Sequence, residues 1–139
     1  MILHDEISLK PTASDVVRLN AWLDQKFSES QISKSLAADL KLCLNEIMAN
    51  LISYGFKDTP DPLTRVEITL EDSAARATVT DNGSYFDIRE WKSPERRDLM
   101  TSEPGGFGVN LIKDRAKEIE YTRVAGLNQL KIVCGTPSS

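Results

Sequence analysis

Glu46, Asn50 and Tyr54 interrupt a run that otherwise reads as a buried helix. They are four residues apart, so on one helix they stack along the same side. Leu36, Leu40, Cys43, Ile47 and Leu51 recur at spacings of three and four and mark the apolar stripe beside them. At ~100° per residue, Asn50 lies about 60° from Ile47 and Glu46 about 100° from it. A carboxylate and a carboxamide at that margin need polar partners; a metal ion, water or a phosphate would serve. Asn50 can offer a neutral oxygen to a Mg²⁺ shell that also holds phosphate and water. Glu46, one turn earlier, can take the proton of a hydroxyl aimed at a phosphate. The bland alternative is a polar pair on a half-buried helix edge.

Two further signals follow in chain order. Asp81-Asn82-Gly83 stands directly after a strand pattern, with Phe86 close behind. Asp81 can accept a hydrogen bond from an exocyclic amine such as that of adenine, Gly83 lets a flat ring approach the backbone, and Phe86 can wall the pocket. Alone, the same residues make a plain turn. Gly105-Gly106-Phe107-Gly108 then opens a helix. Its backbone N–H groups and the helix N-terminus favour anions, and Asn110 in the first turn adds a side-chain donor. No Gly-Lys-Ser/Thr follows, so this is not a Walker loop, and the spacing is not that of a dinucleotide fingerprint.

The elements that must position these residues are legible from periodicity. Residues 1–10 alternate as a strand with Ile7 and Leu9 on one face, and Pro11 ends it. Thr12 or Ser14 caps a helix carrying Val16, Val17, Leu19, Ala21, Leu23 and Phe27. Ser33 or Ser35 opens the central helix, which runs to Gly55 as its C-cap. The stretch 57–63 holds two Pro and two Asp and reads as a loop. Strands follow at 64–70 and 75–80, joined by a hairpin. Residues 87–104 carry nine charges and two prolines, and read as an irregular segment of the kind that serves function. A helix with Val109, Ile112, Ala116 and Ile119 on one face comes next. Strands at 120–124 and 127–134 close the chain around Ala125-Gly126. The expectation is one α+β domain over residues 1–139, a two-layer sandwich of a mostly antiparallel, mixed sheet with helices on one face.

Bulk properties narrow the function. A net charge of −4 and a pI near 5.0 argue against a general nucleic-acid binder. Cys43 and Cys134 stand far apart in sequence, without neighbouring metal ligands, and read as reduced, packed thiols. His4 is the single histidine, which argues against Ser-His-Asp and Cys-His chemistry and against His-rich metal sites. No signal-peptide pattern opens the chain and no apolar run approaches ~18 residues, so a cytoplasmic, non-membrane protein is expected.

The order of the three signals resembles the GHKL ATPase superfamily of gyrase, histidine kinases and the mismatch-repair protein MutL, whose ATP-binding domain is the Bergerat fold. The resemblance covers residues 35–135. It is nearest to the stand-alone anti-sigma factors that are serine/threonine protein kinases. Their helix motif Glu-x3-Asn-x3-His-Gly-Tyr stands here as Glu46, Asn50, Tyr54, Gly55 and Phe56. Their second motif is similar to Val79-Thr80-Asp81-Asn82-Gly83 with Phe86-Asp87, and their third to the run from Gly105 to Ile112. Gly126-Leu127-Asn128-Gln129-Leu130 resembles their final hairpin. Tyr54 departs from the family histidine, Asn110 from a hydrophobic residue or threonine, and Cys134 closes a last strand without the usual basic residue.

The resemblance implies ATP and Mg²⁺ as cofactors. It makes Asn50 the Mg²⁺ ligand and Glu46 the general base. Asp81 would bind the adenine amine with Gly83 beneath the ring. Gly105, Gly106, Gly108 and Asn110 would meet the phosphates, with 87–104 as a lid. Arg96 and Arg97 would reach phosphate oxygens from that lid, or belong to a solvated charge run. The implied partners are a sigma factor and an anti-anti-sigma (STAS-type) protein that is phosphorylated, with a homodimer formed through the sheet edge near Leu3–Leu9. The alternatives are a non-catalytic, nucleotide-dependent regulator and a stand-alone histidine-kinase-like ATPase domain.

Overall fold

The computed structural model describes residues 2–90 and 106–136. Among the described residues, five strands form one sheet: β1 (Leu3–Leu9), β2 (Thr64–Leu70), β3 (Ala74–Asp81), β4 (Glu118–Val124) and β5 (Leu127–Gly135), in the order β1-β2-β3-β5-β4. A mostly antiparallel, mixed sheet was expected, and all four of these pairings are antiparallel, with no parallel pair among the described strands. Among the described residues, three α-helices, α1 (Ala13–Glu29), α2 (Lys34–Asn50) and α3 (Gly106–Arg115), cover one face. On the other face Arg65, Arg76 and Lys131 stand exposed.

The period-2 pattern explains this layering. Val66, Ile68 and Leu70 of β2, Ala75, Ala77 and Val79 of β3, and Leu130, Ile132 and Cys134 of β5 all point inward and are buried. Small residues at 75 and 77 let α2 lie close on the middle of the sheet. From α2, Leu40, Cys43, Leu44, Ile47 and Met48 fill that interface; Leu19 and Leu23 join from α1, and Val109 and Ile112 from α3. Both cysteines are free and buried. Cys134 beside Cys43, together with burial, pushes the Cys43 thiol up, so it stays protonated.

The caps fall where hydroxyls precede the helices. Thr12 accepts the Asp15 N–H at 3.1 Å, and Ser33 accepts the Leu36 N–H at 3.1 Å. Val17 is 69% exposed; the buried stripe of α1 runs through Leu19 and Leu23. Two expectations need correction. Ile119 belongs to β4, since α3 ends at Arg115. The central helix also does not run to Gly55 as one α-helix. It is α-helical to Asn50 and then widens into a π turn, Leu51–Gly55, closed by the Phe56 N–H to the Leu51 carbonyl at 2.9 Å. Gly55 is not a left-handed cap; among the described glycines only Gly126 and Gly135 have positive φ.

Candidate functional site

The wide turn delivers Asn50 and Gly55 to a cavity between α2 and the β3–β5 pair. Ile47, Leu51, Val79, Phe86, Ile88 and Leu130 make its apolar walls, and Asn50, Asp81, Ser84, Tyr121 and Asn128 supply polar groups. This mixture suits a flat heterocycle held by few hydrogen bonds. Asn50, Asp81 and Phe86 are therefore brought together as the sequence suggested.

Asn50 is buried, and its Nδ2 has no hydrogen-bond partner among the described residues. Leaving a buried amide unpaired costs about 1–3 kcal/mol. A polar ligand in the cavity would offset that cost, and Asn oxygen and nitrogen together can face both Mg²⁺ and phosphate oxygen. The donor set at this position thus fits a Mg²⁺-nucleotide.

Asp81 closes the inward row of β3 and is buried. Its Oδ1 accepts the Gly83 N–H at 2.8 Å and the Asn128 amide at 3.0 Å. Burial pushes the carboxyl above the ordinary carboxylate value, while those two hydrogen bonds and the Arg123 charge pull the other way. Asp87 shows the opposite balance. Arg89 grips it with Nε at 3.0 Å and Nη2 at 2.7 Å, and holds its carboxyl below the usual range.

The other predicted residues stand as follows. Gly83 does not line the cavity, and its lack of a side chain has a packing cause. A Cβ there would meet the Gly55 carbonyl oxygen at 2.5 Å, and that carbonyl also accepts the Ser84 N–H at 2.9 Å. Glu46 is half-buried, is not among the lining residues and has no hydrogen-bond or ion-pair partner among the described residues. Tyr54 leaves the ridge, because the π turn breaks the four-residue stacking beyond Asn50. Gly106 and Gly108 stand in the first turn of α3, with half-buried Asn110 behind them. Gly105, Arg96 and Arg97 lie outside the described residues, as does all of the charged segment beyond Glu90.

Sequence reasoning missed Asn128, Tyr121 and Arg123 as parts of this site. A signal for Asn128 was present: it shares the inward phase of β5 with Leu130, Ile132 and Cys134, and a polar residue in that row needs a partner. Asn82 also has a role not foreseen. Its side chain pins the 57–63 loop by accepting the Leu63 N–H at 2.9 Å and donating to the Asp61 carbonyl at 3.1 Å.

The model of the histidine kinase-like ATPase domain matches residues 9–134. The chain belongs to this family. A relative described as the serine/threonine-protein kinase BtrW of Bordetella bronchiseptica is 28% identical over 131 residues, covering 92% of this chain and 91% of its own. The serine-protein kinase RsbW of Listeria monocytogenes is 27% identical over 125 residues, covering 85% and 80%. Among solved structures, that of the RsbU and RsbW domains of Rv1364c from Mycobacterium tuberculosis aligns with a TM-score of 0.64 at 20% identity. It covers 99% of this chain and 34% of that longer one. The blue-light activated histidine kinase EL346 of Erythrobacter litoralis aligns with a TM-score of 0.52, also at 20% identity, over 75% of this chain. These structural likenesses bear on the fold, a histidine kinase-like ATPase domain. No helix among the described residues is long and apolar enough to cross a membrane.

Proposed function

We propose that this ATPase-family chain is a cytoplasmic serine/threonine protein kinase of the anti-sigma type. It transfers the γ-phosphate of Mg-ATP to a hydroxyl on an anti-anti-sigma partner of the STAS type, and otherwise holds a sigma factor. The observation that carries this reading is the buried Asn50 Nδ2, without a partner among the described residues, in a cavity shared with Asp81 and Phe86. The kinase names of its relatives over most of the chain support it.

In this reading Asn50 holds Mg²⁺, which when bound neutralises phosphate charge. Asp81 accepts the adenine amine, and Phe86, Ile88 and Leu130 sandwich the ring and exclude water. The first turn of α3, with Gly106, Gly108 and Asn110 and with Gly105 before it, receives the phosphates. Glu46 takes the proton of the attacking hydroxyl. The chain pairs with a second copy through the β1 edge.

Labelled Mg-ATP incubated with the STAS-type partner tests this. Serine phosphorylation that drops about a hundredfold in Glu46→Gln, with ATP binding retained, is the expected result. Asn50→Ala is expected to lose Mg²⁺-dependent ATP binding. ATP binding without transfer to any partner would sink the kinase assignment. It would leave the nucleotide-dependent regulator, a second reading that the position of Glu46 outside the cavity lining favours.

A further inference from the structure

Asp81 and Asn128 face each other in register across the β3–β5 pair, 47 residues apart in sequence. The amide of Asn128 is gripped from both ends. Its Nδ2 reaches three acceptors: Asp81 Oδ1 at 3.0 Å, the Ser84 carbonyl at 2.9 Å and the Gly83 carbonyl at 3.3 Å. Its Oδ1 accepts Arg123 Nη1 at 2.8 Å and the Tyr121 hydroxyl. Turning the amide over would set oxygen against three acceptors and NH₂ against the Arg123 guanidinium, a pure donor, so the surroundings favour this orientation. Arg123 also donates to the Gly83 carbonyl at 3.0 Å, tying β4 to the turn after β3.

This grip has a chemical consequence at Asp81. Both protein donors, the Gly83 N–H and the Asn128 amide, go to Oδ1. Oδ2 receives neither. A carboxylate saturated on one oxygen presents the other as a pure acceptor. It can take an exocyclic amine and offers nothing to a carbonyl.

We propose that Asn128, held by Tyr121 and Arg123, is the positioning residue that commits Asp81 to reading a 6-amino rather than a 6-oxo purine. The inference rests on the cavity being the adenine site. Asn128 works through Asp81. A site whose buried acceptor is left unpaired rejects the wrong base strongly, so the selectivity depends on holding Asp81 in this one state. Burial works against that state by favouring the neutral acid, a donor that would suit a 6-oxo base equally well.

The test is displacement of a fluorescent ATP analogue by ATP and by GTP, with Mg²⁺, between about pH 5 and pH 8. It compares wild type with Asp81→Asn, Asn128→Ala, Asn128→Asp and Arg123→Gln. Wild type is expected to prefer ATP. Asn128→Ala should lower the ATP-over-GTP ratio about tenfold, and Arg123→Gln about threefold in the same direction. Asn128→Asp should lose the preference at neutral pH and regain it as pH falls, because a protonated acid at 128 again donates to Asp81.

Parallel weakening of ATP and GTP, with the ratio unchanged, would overturn the proposal and leave Asn128 a structural residue. So would a preference that Asp81→Asn removes while the Asn128 and Arg123 variants keep it; in either case the adenine site itself would stand. Wild type with no preference for ATP would overturn both. Arg123 is exposed. Its substitution keeps the ratio measurable if the buried Asn128 variants fail to fold.

Discussion

A single methyl group at position 83 would place a Cβ 2.5 Å from the Gly55 carbonyl oxygen and 3.0 Å from Asp81 Oδ1. Two segments must part to admit it, so Gly83→Ala should destabilise the fold by about 1–3 kcal/mol, read as a lowered denaturant midpoint with unchanged slope. Asp81 gives a second residue-level outcome. Its anion accepts the amine, and its carboxyl is raised above the ordinary value by burial. The preference of wild type for ATP over GTP should therefore decline as pH falls through that raised value. Phosphate titration affects both nucleotides alike and cancels in the ratio. Asp87 has the opposite sign: lowered by Arg89, it adds stability above its unfolded-state value, which is lost as pH falls through the lowered one. Asn50 and Asp81 were legible because each breaks a local apolar period. Asn128 breaks the inward row of β5 in the same way, but its role stayed hidden, since its partner lies 47 residues away and only strand register brings the two opposite.

Helices and strands were legible where period and caps agreed. Thr12 and Ser33 start helices where hydroxyls precede an apolar stripe, and the inward rows of β2, β3 and β5 follow strict alternation. The π turn was hidden, because apolar residues at spacings of three and four look the same until i→i+5 bonding, as from the Phe56 N–H to the Leu51 carbonyl, replaces the α pattern. Joining β4 and β5, Ala125 and Gly126 both have positive φ, 55° and 78°, the pattern of a type I′ hairpin turn. Alanine is strained there and asparagine tolerates it. Ala125→Asn should stabilise the protein by about 0.5–1 kcal/mol, seen as a melting temperature higher by about 2–3 °C. Neither turn residue lines the cavity, so nucleotide affinity should stay as in wild type.

At the scale of the whole molecule, the sheet and its helical layer close the core without help from the cavity, which leaves the nucleotide to act as an added stabiliser. Mg-ATP at a hundred times its dissociation constant should add about 2.7 kcal/mol, a melting shift of about 8 °C for a chain of this size. Asn50→Ala should remove most of that shift while changing the apo melting temperature far less. The architecture was legible as a whole because its layers repeat one rule, apolar inward and charged outward. The charged stretch after Glu90 obeys no such period and gave only its composition.

The π turn also bears on how this chain is compared with others. A π turn holds one residue more than an α-helix spanning the same height, as a single-residue insertion would. Everything after it is rotated out of phase with the helix before it, by roughly the ~100° that one residue sweeps. Here that rotation carries the Gly55 carbonyl to the Ser84 N–H and against Gly83. A relative one residue shorter between its Asn and its Gly would turn that carbonyl elsewhere, even with every motif residue retained. Chain length across these five positions, as much as residue identity, decides whether two such proteins assemble the same pocket.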